Sequence, residues 1–506
     1  MNRITLIVII IFAFLSPLFA WERIYSGPYN VGLNKITSAW DGGYISSGTW
    51  AFSLSSGNRD VLLMKIDECG DTVWNKTYGD PFFYEGHGRH VATSDSAYAI
   101  VFSEHFPYHY PCLLKVDVFG DTIWSKKYFT SEDAAPFDFS KTYDGGFIIT
   151  GWINASPLLL NADDVLLIRT DSEGDTVWVR AYGGDNTNIG YDIHQTADGD
   201  FLVCGQSSNS TSPPDTDVYI LKVSQTGDSL WAKTYDFGGS IAITRSFVFT
   251  GGDTAVLIGL ARVDSSDYSD LLIMCIDEVG NMLWYNTYGG PSYDVGDCIR
   301  RTDDGGFIVV GGSFSTLTMS YDIWLLKFDS SGDTVWTRKF GEDSDKHENG
   351  NDIISTLDGG YIIAGSRVYP SIDNEDPYII KVDSLGYSAI EESPGSEWLK
   401  PFAYGISAYP NPFNSSVTIT LSVIPGLTRN PEIEIFDING RIVFETPVGE
   451  GHRALPSGGD AENGSTRRCS PTNIVWTPDE SLGSGVYLLR AKIGDESVTK
   501  RVVYLK

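Results

Sequence analysis

The stretch Asp71-Thr72-Val73-Trp74-Asn75-Lys76-Thr77-Tyr78-Gly79 decides the fold, because the chain writes it again and again. Trp124, Trp178, Trp231, Trp284 and Trp336 stand in the same setting, separated in succession from Trp74 by 50, 54, 53, 53 and 52 residues. Trp21, in Trp21-Glu22-Arg23-Ile24-Tyr25, lies 53 residues before Trp74 and makes a seventh copy. Side chains two residues apart share one strand face, so Trp74, Lys76 and Tyr78 line up, as do Trp178, Arg180 and Tyr182. A cation between two rings contributes roughly 0.5–1 kcal/mol. The repetition, interrupted only by Asn286, marks this face as scaffold, expected to be hidden between repeats.

Each period carries four strands in a fixed order, the self-similarity of a propeller. In the clearest copy they are Asp192–Thr196, Phe201–Gly205, Asp217–Val223 and Asp228–Tyr235. Second strands start at Tyr44, Tyr98, Phe147, Phe201, Ala255, Phe307 and Tyr361. Third strands such as Asp164-Val165-Leu166-Leu167 are continuous apolar runs, as strands covered on both faces must be. After the seventh third strand, Tyr378 to Asp383, no Trp strand follows. The copy at Trp21 is expected to fill its place, closing the ring and removing an open edge. The chain therefore reads as all-β, with a seven-bladed β-propeller over residues 21–386 closed by its N-terminal strand.

The turns divide the disc into two sides. Asp67-Glu68-Cys69-Gly70, Asp171-Ser172-Glu173-Gly174 and Asp329-Ser330-Ser331-Gly332 place Asp first and Gly fourth, a type I signature between strands three and four. Asp-Gly-Gly turns at Asp41, Asp144, Asp304 and Asp358 join strands one and two. These tight turns share one side. The other receives loops that vary from copy to copy, where binding is expected.

Bulk properties narrow the setting. A chain of 506 residues exceeds one compact core. Its formal net charge of −30 argues against nucleic acid and anionic membrane surfaces. Arg3, the apolar run Ile4 to Leu15 and Leu18-Phe19-Ala20 read as a signal peptide over residues 1–20, cleaved after Ala20. No later segment approaches a transmembrane helix, so no integral membrane segment is expected after cleavage. The six cysteines share no regular spacing, and those in strands, Cys112, Cys204 and Cys275, read as buried free thiols.

The blocks Gly-Gly-Phe-Ile-Ile-x-Gly, Asp-Val-Leu-Leu-Ile-Arg-x-Asp and Gly-Asp-Thr-Val-Trp-x-Arg-x-Tyr-Gly-Gly resemble bacterial secreted seven-bladed propeller repeats of the SBBP type. This implies a fold and an extracellular setting, but no shared activity. Past a linker at 387–402 the pattern changes. Tyr409-Pro410-Asn411-Pro412-Phe413-Asn414, a hairpin turning at Asn439-Gly440-Arg441, Gly483-Ser484-Gly485-Val486-Tyr487 and the strand Lys500-Arg501-Val502-Val503-Tyr504 read as a small β-sandwich over 403–506. These motifs look like a type A sorting domain of the type IX secretion system, close to the FlgD-like, immunoglobulin-like fold. The resemblance makes Pro410, Asn411, Pro412, Phe413, Gly440, Arg441, Gly485, Tyr487, Lys500 and Arg501 the sorting-motif residues. It implies passage through the outer-membrane secretion machinery, then release or attachment at the cell surface. Plain accessory sandwiches are the alternative. Residues 449–473 interrupt the sandwich with Gly, Pro, Ser and Arg and are expected to be disordered.

Candidate chemistry is sparse. The Asp-x-x-Gly-Asp-Thr-x-Trp turns differ in spacing from sialidase Asp-boxes, and no arginine cluster is evident in the inner strands. His87, His90, His105 and His109 fall in or beside the loops of the second blade and are weak metal candidates; no metal or other cofactor is expected. Asp192 and Asp352 read as solvated caps at the channel mouth. Ring stacking makes Trp50, Phe52, Tyr108, Tyr110, Trp152, Tyr268, Tyr321 and Tyr369 the candidate ligand-binding residues. The expected role is a secreted or surface-attached, non-enzymatic module for binding or adhesion to an extracellular glycan or protein. An extracellular hydrolase or lyase using the same face is the alternative. Deleting residues 21–27 should sharply lower the melting temperature; unchanged thermal stability would refute N-terminal closure.

Overall fold

The computed structural model describes residues 20–25, 30–51, 59–79, 84–105, 108–130, 132–154, 163–209, 215–238, 241–251, 254–263, 268–316, 318–341, 346–370 and 374–388 of the N-terminal part. In the C-terminal part it describes 404–409, 415–423, 432–437, 441–445, 472–478, 481–493, 496–504 and 506. The chain divides into two compact units at Glu392/Ser393.

The first unit holds seven successive four-stranded antiparallel sheets, the blades of a seven-bladed propeller. Blade four is Thr187–Gln195, Phe201–Ser208, Thr216–Val223 and Ser229–Tyr235. The expected starts of the second strands hold, except that in blade five the strand begins one residue earlier, at Thr254. Blade seven takes its outer strand from the N-terminus. Trp21–Ile24 pairs antiparallel with Asn374–Val382, with Trp21 opposite Lys381 and Ile24 opposite Tyr378. Apolar side chains of neighbouring blades interdigitate all round. The seam between blades seven and one, where Ile362, Ala364 and Ile379 meet Leu33, Ile36 and Leu62, is built like the rest. Each such Leu, Ile or Val contributes roughly 1.5–3 kcal/mol by leaving water.

A latch repeats at every blade boundary. The Trp of one blade's outer strand lies against the glycine of the next blade's turn between strands three and four. A Cβ on Gly174, for example, would sit 2.7 Å from Trp124 Cη2, and on Gly70, 2.8 Å from Trp21 Cη2. The glycine also has φ of 76° at Gly174 and 82° at Gly70, a left-handed backbone that other residues adopt only at a cost. In six boundaries a tyrosine two turns of the pleat further on donates its hydroxyl to the same glycine's carbonyl, at 2.6 to 2.9 Å. Phe340 stands in the tyrosine's place at the seventh. The Trp-strand face therefore lies under a single turn of the next blade, with Trp21 and Trp178 buried and the other five tryptophans half-buried. Its cations also do more than lie between rings: Lys76 and Lys126 cross to Asp121 and Asp175 of the next blade at 2.5 and 2.6 Å.

A second repeated contact fixes the turns between strands one and two. Near the end of the apolar third strand stands a cation, buried at Lys65, Arg169, Lys222, Lys327 and Lys381 and half-buried at Lys115, which reaches the turn carboxylate Asp41, Asp144, Asp198, Asp304, Asp358 or, for Lys115, Asp95. Blade five has Cys275 at that position. Burial works against ionisation of Asp304, but Lys327, Thr302 and the Gly306 N–H outweigh it and bring the carboxyl down to about 2. Between blades six and seven the opposite occurs. Glu348, 1% exposed, is pushed up to about 7 by burial, with Arg367 opposing and Asp322 reinforcing the shift.

The second unit has a three-stranded sheet, Tyr404–Tyr409, Val417–Val423 and Thr472–Trp476, and a four-stranded sheet, Ile442–Glu445, Glu432–Phe436, Gly485–Ile493 and Glu496–Tyr504. Trp476 of the first meets Tyr487 of the second with ring centroids 5.4 Å apart. Tyr487 is thus a core residue, and its hydroxyl donates to the Gly483 carbonyl. Asp437 and Arg441 close the hairpin through backbone and carboxylate bonds. Gly485 opens one strand of the larger sheet, and Lys500 and Arg501 lie in another. Pro410, Asn411, Pro412, Phe413, Gly440 and residues 449–471 lie outside the described residues, whereas Thr472 and Asn473, expected to belong to the disordered insertion, are strand residues paired with Leu421 and Thr420. Cys204, Cys275 and Cys298 are buried thiols outside any disulfide, and Cys469 lies outside the described residues.

Two measurements check these contacts. Gly174→Ala should destabilise the propeller by about 1–3 kcal/mol, combining backbone strain with a clash against Trp124. Gly238→Ala, at φ 79° with open space around it, carries the strain alone. Equal losses in the two variants would show that the latch adds nothing. The second measurement is thermal stability against pH. The stabilisation from Asp304 is complete above about pH 4 and lost as pH falls toward about 2. That from Glu348 is complete below about pH 4.5 and lost as pH rises toward about 7. The melting temperature should peak between these limbs, and Glu348→Gln should flatten the decline toward pH 7. A steady rise from pH 4 to 7 in both proteins would refute this.

Candidate functional site

The innermost strand of every blade contains a β-bulge, between Leu33/Lys35, Gly86/Arg89, Pro136/Asp138, Gly190/Asp192, Thr244/Ser246, Gly296/Cys298 and Gly350/Asp352, and blade five has a second register shift between Phe249 and Gly251. A bulge leaves a residue unpaired and re-aims its side chain. Asn34, Phe137, Tyr191, Arg245, Asp297 and Asn351 are so placed, and several join round the inner rim. Phe137 meets Tyr191 at 5.0 Å between ring centroids, Arg245 is ion-paired with Asp297, and the Asn351 amide donates to the Leu33 carbonyl at 2.8 Å.

Next to the bulges runs a chain of charges. Asp138 accepts from Lys35 at 3.2 Å and from Arg89 at 3.0 Å, and Asp352 accepts from Arg300 at 2.5 Å. Asp192 and Asp352 are buried ties, not solvated caps. One carboxylate oxygen of each accepts a backbone N–H of the neighbouring blade, Phe247 and Ile36 respectively. Burial opposes their ionisation, yet His194 beside Asp192 and Arg300 beside Asp352 hold both below the usual carboxylate range, with Lys35 adding to each. No arginine cluster is expected in the inner strands; Arg89, Arg245 and Arg300 stand there, on three different blades. All three are tied to aspartates: Asp138, Asp297 and Asp352.

On the irregular-loop side, blades five, six and seven open into a cleft of about 460 Å³. Arg245 and Asp297 form part of its wall, Asn349 and Asn351 another part, and Ser366 and Glu375 come from blade seven. Ser366 is 1% exposed, and its Oγ has no hydrogen-bond partner among the described residues. Tyr293 and Tyr321 supply ring surface. Tyr268 stacks edge-on against Tyr293 at 5.1 Å, and Phe314 supports Tyr321 at 4.9 Å.

The sequence candidates thus separate. Tyr321 lines the cleft and Tyr268 adjoins it. A second group gathers on blades two and three, where Tyr110 meets Phe129 at 5.3 Å and Trp152 lies 6.0 Å from His109; Tyr108 is exposed beside them in sequence. Trp50 packs against the core at the closing seam. Tyr369 ends the second strand of blade seven, and Phe52 lies outside the described residues. Of the described histidines, only His105 and His109 are in ring contact with each other. His90 is fully buried between Ser47 and Thr37, at 2.7 and 2.8 Å, and burial together with Lys35 lowers it to about 3. His105 and His109 stack at 4.2 Å, and the His87 side chain lies outside the described residues. Among the described residues no three His, Cys, Asp or Glu side chains form a metal-binding group. Sequence reasoning missed Arg245, Asp297, Asn349, Asn351, Ser366 and Glu375. The available signal was a glycine two residues before the aspartate or cysteine, as in Gly190-Tyr191-Asp192, Gly296-Asp297-Cys298 and Gly350-Asn351-Asp352, which marks the bulge.

Similar solved structures include a protein of unknown function from Dyadobacter fermentans DSM 18053, at 15% identity and TM-score 0.40, covering 60% of this chain and 96% of that one. A fungal alcohol oxidase of the AA5 family in complex with copper, at 10% identity and TM-score 0.46, covers 96% of this chain and 100% of its own. The β-propeller domain of the Trilobed protease from Pyrococcus furiosus, at 8% identity and TM-score 0.40, covers 72% and 99%. No activity is carried over at these identities. No curated protein matches the chain. Residues 407–454 match the family described as the secretion system C-terminal sorting domain. The chain therefore carries a type IX sorting domain behind an all-β propeller and is a secreted or outer-cell-surface protein.

Proposed function

We propose that the propeller is a non-enzymatic binding and adhesion module that takes an extracellular glycan in the cleft of blades five to seven. In this reading residues 1–20 are removed during export, 387–402 tether the propeller, and 403–506 form the immunoglobulin-like unit that engages the outer-membrane secretion machinery. The observation that carries it is the cleft's composition. Tyr293 and Tyr321 flank amide, hydroxyl and carboxylate groups, among them the unpartnered Ser366 hydroxyl. Tyrosine faces pack against the C–H face of a pyranose, while amides and carboxylates match its hydroxyls.

A hydrolase or lyase would require carboxylates free to exchange protons with a ligand. Asp138, Asp297 and Asp352 are each tied to a cation, and Asp192 lies 3.4 Å from His194. Glu348, whose carboxyl is raised, is 1% exposed and paired with Arg367 at 2.8 Å. Of the three described carboxylates lining the cleft, Asp297 is tied to Arg245 and Asp294 is buried on the Gly290 N–H, so Glu375 alone is left to act on a ligand, which supports holding over turnover.

The full chain from residue 21, applied to glycan and protein arrays, should retain a defined glycan. Tyr321→Ala and Asn349→Ala should each weaken that binding about tenfold or more, as loss of a central contact of 1.4 kcal/mol or above does. Undiminished binding by both variants, with the fold intact by circular dichroism, removes the cleft from the proposal. Retention of proteins alone removes the glycan.

A further inference from the structure

We infer that the cleft selects uncharged sugars over uronates and sulfated sugars, and that Asp297 enforces this choice by occupying Arg245. The inference rests on the glycan-binding reading above. Among the described residues lining the cleft, Arg245 is the one cation, set against three carboxylates, Asp294, Asp297 and Glu375. Arg245 sits at the bulge of blade five and Asp297 at the bulge of blade six, so two neighbouring inner strands present the pair together. Their ion pair leaves the guanidinium already engaged. Asp294 is nearly fully buried, and its Oδ2 accepts the Gly290 N–H at 3.0 Å.

An arriving carboxylate or sulfate therefore has two routes, both unfavourable. It can displace Asp297 from Arg245, which strands a partly buried carboxylate without its partner. Otherwise it must settle among groups that include Glu375, a like-charge contact in a partly desolvated space. The chain's charge of −30 adds repulsion at longer range, screened beyond a Debye length of about 8–10 Å in physiological salt. A neutral sugar meets neither obstacle. Its hydroxyls donate to the carboxylates and to the Asn351 carbonyl oxygen, whose amide nitrogen is already committed to Leu33.

The test compares the full chain from residue 21 with Asp297→Asn on neutral glucans, galactans and mannans and on alginate, pectate and heparin, at 50 and 200 mM salt. The unaltered chain should bind at least one neutral glycan and hold every anionic one about tenfold more weakly at both salts. Asp297→Asn should gain about tenfold for alginate, pectate or heparin, and the gain should shrink at the higher salt. The double variant Arg245→Gln, Asp297→Asn should lose that gain. A uronate or sulfated glycan held as tightly as a neutral one by the unaltered chain overturns the inference while leaving the glycan-binding reading intact. So does a folded Asp297→Asn with unchanged preference. Should Asp297→Asn fail to fold, the comparison on the unaltered chain decides. Absence of binding to every glycan overturns both.

Discussion

An indole ring resting on a glycine with no Cβ and a left-handed backbone is the contact on which the ring depends. Each blade offers its Trp to the next blade's turn and its own glycine to the blade before, so every sheet is both latch and catch. The same geometry explains two features at once. The turn requires glycine for its backbone, and the close approach requires glycine for its missing side chain. Six tyrosine hydroxyls add a directed bond to the same point. At the seventh boundary Phe340 fills the tyrosine's place, so apolar packing without the bond suffices at one of seven positions.

The inner and outer surfaces follow different charge rules. The chain as a whole carries a large negative excess, which favours solubility outside the cell. Along the inner strands, Lys35, Arg89, Arg245 and Arg300 face Asp138, Asp192, Asp297 and Asp352, four of each sign. Removing one member of such a buried pair leaves the other uncompensated, which costs several kcal/mol. These residues therefore act as ties between blades first, and only those beside the open cleft retain groups for a ligand.

The repeat made the scaffold legible. Seven Trp strands at nearly constant spacing, apolar third strands and the missing copy after Asp383 were sufficient to number the blades and to assign Trp21 to the last. The buried cations at Lys65 and its counterparts were equally repeated but stood inside apolar runs, where a lysine reads as an interruption. The cleft was harder to read for a physical reason. Its residues come from bulges, which shift the alternation of faces by one, and from loops of three blades, so no local pattern joins Arg245, Asp297 and Glu375. Aromatic content alone found Tyr321 and Tyr268, yet it equally nominated Trp50, which packs into the core at the closing seam.

The N-terminal strand has a temporal consequence. Glu22 bonds to Tyr378, which the ribosome adds 356 residues later, and Trp21 must wait for Lys381 before it has an edge to join. At synthesis rates of about 5–20 residues per second, the first strand made stays without its partner for tens of seconds. During that interval the chain's beginning has no edge of its own blade to join. Closure is then an intramolecular race: a seventh sheet still lacking its outer strand would accept the same segment from another copy, so dilute conditions favour single rings and crowded ones favour exchanged pairs.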